Sequence, residues 1–312
     1  MGVGHGHGHG DGYGHSASRA SDRRRLHWVL AVTGTVLLVE LVGAWVTGSL
    51  ALLADAGHMA TDAGAVVLAL GASYVANRPG GVRSTFGYHR VEVVAALVNA
   101  VVLLGVCGYL AWSGVARLTD PPDVDGAGLV GFAVVGLLAN ATSLLLLRGG
   151  DSSSLNLRGA INEVFADLLG SVVVIAAGIA IWVADWQYAD PIASLVIAVM
   201  IVPRAVLLIR DSGRVLLEIA PADLDLDDVV HHLTHAPGVV NVHDLHAWTI
   251  TSGMLSLSAH VTVTEEILEE QGVGAVLDAL TDCVATHFDV RHTTFQVEPV
   301  SHQEHEDLGE MH

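Results

Sequence analysis

Residues 50–76 read LALLADAGHMATDAGAVVLALGASYVA. The stretch is long enough to cross a bilayer as one helix, because a spanning helix needs about 20 residues to cross roughly 30 Å of hydrocarbon. It nevertheless carries Asp55, His58 and Asp62. A charge near the bilayer centre costs roughly 2.5–3.5 kcal/mol even on the lenient insertion scale, so these groups require partners or a wet cavity. The stretch therefore predicts a spanning helix that carries part of a polar site.

Five further apolar runs accompany this one and set the fold class. The charged fraction of the chain is 15%, below the roughly 25% of soluble proteins, and the mean hydropathy is +0.53. A large soluble protein with a buried helical core is the alternative, but six such runs leave no polar faces to expose to water. We predict a polytopic α-helical membrane protein with six transmembrane helices. The runs are Trp28–Val46, Leu50–Ala76, Val91–Trp112, Leu129–Leu147, Leu155–Val183 and Tyr188–Ile209.

The arginines are concentrated in alternate connections between the runs. The segment before the first run and the connections after the even-numbered runs carry most of them, whereas the opposite loops carry only Arg117. Because cytoplasmic loops of membrane proteins have an excess of basic residues, this bias predicts that both termini are cytoplasmic. The cytoplasmic set is Arg19, Arg23, Arg24, Arg25, Arg78, Arg83, Arg90, Arg148, Arg158, Arg204, Arg210 and Arg214.

The overall charge excludes one class of partner. The chain has 14 basic and 33 acidic residues, a formal net charge of −19. Nucleic acid is disfavoured, because phosphate contacts need a basic patch, whereas cations are not. Cys107 and Cys283 are the only cysteines, so the sequence predicts no disulfide framework.

The sequence after about Ser212 is typical of a soluble domain. Leu255, Leu257, Ala259, Val261 and Val263 alternate with polar residues, as in a half-buried strand. The complete pattern is a helix at Asp227–His235, strands at Val239–Ile250 and 255–263, a helix at Val273–His287 and a strand at His292–Glu298. An α-β-β-α-β order indicates a small α+β domain. The predicted parts are a His-rich cytoplasmic tail (1–26), a transmembrane domain (27–211), a cytoplasmic α+β domain (212–300) and a flexible tail (301–312).

A second pair of charged residues lies in the fifth run. Glu163 and Asp167 are four residues apart, as are His58 and Asp62, so each pair occupies one face of its helix. With runs crossing in alternate directions, all four lie near the midplane, His58 level with Asp167 and Asp62 level with Glu163. One imidazole and three carboxylates suit a divalent first-row metal. The sequence predicts an intramembrane metal site, with structural hydrogen bonds between helices as the alternative.

The N-terminal tail has a composition of its own. His5, His7 and His9 alternate with glycine, a pattern typical of loose metal capture. The alternative is a solvated tail with no role.

Several motifs resemble those of the cation diffusion facilitator family, in order, from about Leu26 to Pro299. They are SLALLADAGHMATD at 49–62, FGYHRVE at 86–92, NLRGA at 156–160, DLLGS at 167–171, DPI at 190–192 and VHDLHAW at 242–248. The resemblance is greatest to the bacterial branch that exports zinc, cadmium and cobalt. It implies a homodimer of six-span subunits in the bacterial inner membrane. Each subunit would carry a cytoplasmic ferredoxin-like domain and exchange divalent metal for protons by alternating access.

The resemblance also assigns ligand roles in the membrane to His58, Asp62 and Asp167. Glu163 departs from the family pattern, because the zinc-transporting branch usually has His at this position. A carboxylate in place of an imidazole hardens the ligand set and favours Mn or Co over Zn. Zinc remains the expected cargo, since His58 with three carboxylates is a sound zinc set, and cadmium, cobalt and manganese are the alternatives.

A second metal site is implied in the cytoplasmic domain. His243, His246 and His260 fall on adjacent predicted strands, and Glu298 lies on the last strand. His243 and His260 match ligand positions of the family. Gln296 stands where some members have His, which makes a two-metal site incomplete. Surface histidines on a polar strand face are the alternative.

These expectations combine into one function. The chain is expected to be a proton-coupled antiporter that exports a divalent transition-metal cation from the cytoplasm. Its partners would be metal cations, protons, the lipid bilayer and a second copy of the chain, with no resident cofactor. A metal-sensing membrane protein without transport is the alternative. An enzyme is not expected, because neither a His-Glu-x-x-His pair nor a buried nucleophile–base arrangement occurs in the sequence.

Overall fold

The computed structural model describes residues 12–78, 81–148, 155–251, 253–290 and 292–303. Within these ranges, six helices are long and apolar enough to cross a membrane, which confirms the predicted number. They are α1 (Gly12–Thr47), α2 (Leu50–Ala76), α3 (Arg90–Arg117), α4 (Gly126–Arg148), α5 (Leu155–Ala184) and α6 (Ala189–Leu216).

The helices extend beyond the apolar runs that predicted them. α1 begins at Gly12 rather than near Trp28, and α6 continues past Ile209 to Leu216. The reason is that hydropathy marks only the segment suited to lipid, whereas a helix continues wherever its backbone hydrogen bonds can form. In α1 the apolar window begins only at Leu30.

The chain divides into two compact units, of which the first comprises Met1–Val67 and Asn99–Leu207. Here α4 packs against α5 and α1. A continuous apolar core runs through the unit and includes Leu52, Leu129 and Val174, each at most 1% exposed.

A carboxylate at the start of α6 holds the N-terminus of α2. Asp190 accepts hydrogen bonds from the backbone N–H groups of Leu50 (2.8 Å) and Ala51 (3.1 Å), and from the hydroxyl of Ser49 (2.5 Å). The first N–H groups of a helix have no partner within the helix, and they favour a negative charge. The guanidinium of Arg117 lies 3.6 Å from the same carboxylate. The DPI motif therefore fixes where α2 begins.

Two glycines let α4 and α5 approach closely. A Cβ added at Gly126 would lie 2.6 Å from the backbone nitrogen of Trp182 and 2.9 Å from the carbonyl oxygen of Gly178. Small residues at such crossings allow backbone-to-backbone contact between membrane helices.

We expect Gly126→Ala to lower the stability of the purified protein, because the added methyl group meets backbone atoms that cannot move aside. Overpacking of this kind costs about 1–3 kcal/mol. The matched control is Gly131→Ala in the same helix, where an added Cβ meets nothing within 4 Å. Thermal unfolding in detergent should give a lower Tm for Gly126→Ala alone. Equal Tm values for the two variants would mean that the close approach does not limit stability.

The second unit comprises Leu68–Val98 and Leu208–His312. Its described sheet has the strand order β1-β2-β3, with β1 and β2 antiparallel and β2 and β3 parallel. The elements are α7 (Leu226–Thr234), β1 (Val239–Thr251), β2 (Met254–Val263), α8 (Glu265–Glu270), α9 (Gly272–Phe288), β3 (His292–Pro299) and α10 (Val300–Gln303).

The helices α7 and α9 cover one face of this sheet. Leu257, Ala259 and Val261 of β2 pack in one buried cluster with Leu233 of α7 and Leu280 of α9. Since alternate residues of a strand point to opposite faces, His260 lies on the face away from these helices.

The short helices α8 and α10 are absent from the sequence-based prediction. α8 begins after Thr264, whose hydroxyl accepts a hydrogen bond from the backbone N–H of Ile267 at 3.4 Å. A Ser or Thr cap followed by acidic residues is a helix-start signal, and here it precedes only one and a half turns of helix. Periodicity cannot identify so short an element.

The FGYHRVE motif ties the start of α3 to later residues of the second unit. The guanidinium of Arg90 lies 2.6 Å from the carboxylate of Glu218, and the hydroxyl of Thr251 donates to the carboxylate of Glu92 at 3.1 Å. Each of these two charged residues contacts a later residue of the second unit, so they have a structural role.

Candidate metal centre

Helices α2 and α5 bring three of the predicted ligands together inside the membrane unit. The Nε2 atom of His58 lies 3.4 Å from a carboxylate oxygen of Asp62 and 3.8 Å from one of Asp167. The exposed fractions of the three residues are 5%, 8% and 3%. A buried imidazole between two carboxylates is a polar cluster that a lipid-facing helix would not carry.

Glu163 joins this cluster through a residue that the sequence analysis did not assign to it. The guanidinium of Arg204, on α6, lies 3.2 Å from Asp62 and 3.7 Å from Glu163. It therefore bridges carboxylates of α2 and α5. The Arg204 side chain is 48% exposed, so it lies at the edge of the cluster rather than inside it.

Arg204 was missed because it was used only to predict orientation. It lies within the sixth apolar run, Tyr188–Ile209, where a fixed charge needs a counter-ion as much as a carboxylate does. Matching it with the unpaired acids of α2 and α5 could have identified it.

The spacing of the four intramembrane candidates differs from that of the histidine groups in the second unit. Among the described residues, two groups of three side chains place ligand atoms within 4.8 Å of one another, and both belong to the second unit. The four intramembrane residues are spaced more widely. A cation held by all four would therefore draw them together and separate Arg204 from Asp62 and Glu163.

Further polar side chains are buried in the same unit. Glu40 is 0% exposed, Asp55 2% and Asn140 1%, and each has a side-chain oxygen without a hydrogen-bond partner among the described residues. A Cβ added at Gly170 would lie 2.5 Å from a carboxylate oxygen of Asp55, so Asp55 lies against the helix that carries Asp167. Buried polar groups of this kind are costly to retain, which favours a functional role.

In the cytoplasmic domain the sheet brings His243, His260 and Glu298 together. His243 pairs with His260 across β1 and β2, and their ring centroids are 5.3 Å apart. The Nδ1 atom of His260 lies 3.1 Å from Glu298. Ligand atoms of the three side chains lie within 4.8 Å of one another. Gln296 pairs with His260 on β3 and donates to Glu298 at 2.6 Å.

His246 lies outside this group of ligand atoms. It pairs with Ser258 rather than with a histidine, and its Nε2 lies 3.0 Å from a carboxylate oxygen of Asp244. The register shifts between His243 and His246, and Asp244 has φ 51°. This β-bulge inserts an extra residue, which the alternating pattern could not reveal. His5, His7 and His9 lie outside the described residues.

Comparison with known proteins adds independent findings. Residues 26–217 match the family model of the cation efflux transmembrane domain, and residues 221–300 match that of the cation efflux protein cytoplasmic domain. The chain is 43% identical to the metal cation efflux system protein CzcD of Cupriavidus metallidurans over 277 residues, covering 89% of this chain and 87% of that protein.

Two further relatives have similar coverage. The zinc transporter ZitB of Escherichia coli is 38% identical over 281 residues, with 89% of this chain and 88% of ZitB covered. The cadmium, cobalt and zinc/H⁺-K⁺ antiporter of Bacillus velezensis is 35% identical over 278 residues, with 88% and 87% covered. Among solved structures, the metal-bound C-terminal domain of the C. metallidurans CzcD transporter is 39% identical. The match covers 24% of this chain and 99% of the chain in that structure, with a TM-score of 0.22.

These matches settle the class of protein. The chain is a multi-pass membrane protein with a cytoplasmic C-terminal domain, and it belongs to a family of transporters rather than of enzymes. The resemblance carried by the motifs between Leu26 and Pro299 is confirmed, since the two family models together span nearly the same residues. The chain is a member of the cation diffusion facilitator family of cation efflux proteins.

Proposed function

We propose that the chain is a proton-coupled antiporter that exports zinc, or a related divalent cation, from the cytoplasm. The proposal rests on the buried cluster in which the imidazole of His58 lies beside the carboxylates of Asp62 and Asp167, within the membrane unit. Imidazole and carboxylate are ligands that divalent first-row metals accept. The names of ZitB and of the B. velezensis antiporter support the same class of cargo.

Charge balance supplies the coupling. Asp62, Glu163 and Asp167 with Arg204 carry a net charge of −2 when all are ionised, which a single divalent cation balances. Protons can balance the same charge, so metal and protons compete for the same oxygen atoms, and this competition couples export of one to import of the other. His58 binds metal only in its neutral form, so acidification should weaken metal binding.

Glu163 is the proposed determinant of metal preference. With Glu163 the intramembrane set has one imidazole, whereas His at this position would give two. Imidazole favours zinc relative to the harder manganese ion, which prefers oxygen ligands.

We expect Glu163→His to raise the ratio of zinc flux to manganese flux about tenfold, because it replaces an oxygen ligand with a nitrogen ligand. The ratio is measured in proteoliposomes loaded with a metal-sensitive dye. Glu163→Gln is the control, since it removes the charge without adding an imidazole and should slow both metals. An unchanged ratio in Glu163→His would exclude Glu163 as the selectivity determinant.

The remaining assignments concern topology and assembly. We propose that both termini are cytoplasmic, in a homodimer in a bacterial inner membrane, with the parts at residues 1–26, 27–211, 212–300 and 301–312. The arginine bias supports the orientation, and the dimer designation of the matched cytoplasmic family model supports the assembly. We also propose a metal site at His243, His260 and Glu298, and loose capture of metal by His5, His7 and His9.

The test is flux of Zn, Cd, Co and Mn into proteoliposomes of the purified protein under an imposed proton gradient. Metal movement that depends on the gradient, led by zinc, supports the proposal. Flux led by manganese or cobalt retains the antiporter but changes its cargo. Metal binding without flux of any of the four metals would overturn transport in favour of a metal sensor.

A further inference from the structure

A histidine cluster on the helical side of the cytoplasmic domain is not used by the proposed transport mechanism. Ligand atoms of Asp228, His231 and His232, all on α7, lie within 4.8 Å of one another. Two more imidazoles flank them. The His235 ring centroid is 4.3 Å from that of His231, and the His287 centroid, on α9, is 4.8 Å from that of His232.

The helical spacing explains why these side chains meet. Asp228 and His232 are four residues apart, as are His231 and His235, so each pair shares a face of α7. The described contacts of α7 include α9, and His287 lies in the last turn of α9. The cluster therefore combines consecutive turns of one helix with the end of a second.

Three of the rings have their proton position fixed by the backbone. The Nδ1 atoms of His232, His235 and His287 lie 2.9, 2.6 and 2.8 Å from the carbonyl oxygens of the residues four positions earlier. A carbonyl oxygen can only accept, so each Nδ1 carries a hydrogen and a neutral ring then has its lone pair on Nε2. Metal-binding histidines are oriented in this way, with the second ring nitrogen donating to a carbonyl or carboxylate.

The distances suit a small divalent ion. Ligands of a tetrahedral zinc ion lie roughly 3.3 Å apart, given bonds of about 2.0–2.1 Å to nitrogen or carboxylate oxygen. Rotation of the side chains can bring ligand atoms that now lie within 4.8 Å of one another to this spacing. For His232 the rotation must turn Nε2 toward the ion, because Nδ1 lies 3.3 Å from the carboxylate of Asp228 and donates to the backbone. Asp228 and His231 are exposed and His232 is half-buried, so an ion can reach the cluster without any opening of the fold.

This cluster is separate from the His243, His260 and Glu298 group. The described α7 and α9 pack on the face of the sheet that carries Leu257, Ala259 and Val261, whereas His260 lies on the opposite face. One ion cannot reach both groups through a packed apolar layer.

We propose that Asp228, His231 and His232, supplemented by the flanking His235 and His287, form a second cytoplasmic binding site for a divalent transition-metal ion such as Zn²⁺. The domain then binds metal on both sides of its sheet. Two of its three ligands are exposed, so an ion can reach the site directly from the cytoplasm. It does not depend on transport, because binding at this surface requires no movement of the spanning helices.

The experiment counts zinc bound by the full-length protein in detergent, by equilibrium dialysis against a chelator-buffered Zn²⁺ solution and elemental analysis. We expect the double variant His231→Ala/His232→Ala to lose one equivalent of zinc, and His243→Ala/His260→Ala to lose a different one. The combined variant should lose both. Loss of no zinc from the α7 variant, or no additional loss from the combined variant, would overturn the proposal.

Two further variants test whether the loss of zinc is specific to the α7 site. His302→Ala removes an exposed histidine of α10 and should leave the zinc content unchanged, and the N-terminal histidines are identical in all the variants. Asp228→Asn keeps the size of the side chain and should weaken the same site about tenfold, and its melting curve shows whether the domain remains folded. Unaltered affinity in Asp228→Asn would contradict the assigned ligand set. Since no flux is measured, failure of transport and failure of this site give different results.

Discussion

Replacing Asp62 with alanine will abolish metal-driven proton movement in proteoliposomes. Asp62 lies 3.4 Å from His58 and 3.2 Å from Arg204, so its loss removes a proposed ligand and also a contact of the guanidinium with α2. Loss of an outer partner of a metal ligand costs 10–100-fold in affinity or activity. Loss of a ligand itself should therefore cost at least about 100-fold. A pH-sensitive dye inside the vesicles measures the response to added zinc.

The control for this variant is Asp120→Ala, which removes an exposed carboxylate from the connection between α3 and α4 and should transport normally. A Tm equal to that of the unsubstituted protein would show that Asp62→Ala is folded. Proton movement at the normal rate in folded Asp62→Ala would show that the transported ion binds elsewhere.

Replacing Arg204 with glutamine should lower the KM for metal about tenfold and also lower the maximal rate. The guanidinium contacts two carboxylates of the proposed ligand set, so it would compete with a metal bound there. Two unit charges about 4 Å apart interact by about 4 kcal/mol near a protein surface. Because Arg204 is half exposed, we expect only about 1.4 kcal/mol of this, which is a tenfold change in KM. The maximal rate falls because no side chain then displaces the metal during release.

The matched variant is Arg204→Lys, which retains the positive charge but not the fork that bridges two carboxylates. It should restore much of the normal KM and rate. A purely structural role would instead lower Tm and reduce the rate without lowering KM. A higher KM in Arg204→Gln would show that the guanidinium organises the ligands for metal rather than competing with it.

The four intramembrane candidates could be found from the sequence because a charged side chain in an apolar run has few explanations. His58 and Asp62 share one helical face, and Asp167 lies at a matching depth, so their contact follows from the geometry of two helices. That these residues bind metal stays a prediction. Arg204 was overlooked because one arginine can signal orientation or fill a site, and only the contacts with Asp62 and Glu163 distinguish the two.

In the cytoplasmic domain the sequence predicted the strands but not the bulge within β1. The alternation of β2 correctly predicted a strand with a buried face and placed His260 on its other face. The bulge at Asp244 shifted His246 away from the group that it was expected to join. The α7 cluster was missed although Asp228, His231 and His232 share one predicted helix, and only the proximity of His287 to His232 depends on how α7 packs against α9. Spacing along one element can be read from sequence, whereas packing between elements cannot.

The cap that Asp190 forms at the start of α2 makes this helix a lever with a fixed pivot. Leu50 and Ala51 are hydrogen-bonded to the first turn of α6, so any tilt of α2 would displace this end least and the opposite end most. His58 lies ~12 Å and Asp62 ~18 Å from the pivot at 1.5 Å per residue. A tilt of about 10° would move the two side chains by roughly 2 and 3 Å relative to Asp167 and Glu163 on α5. A displacement of this size is enough to bring the side chains of α2 and α5 closer together or to separate them. The carboxylate of Asp190 thus determines how far a given tilt of α2 would move the proposed ligands.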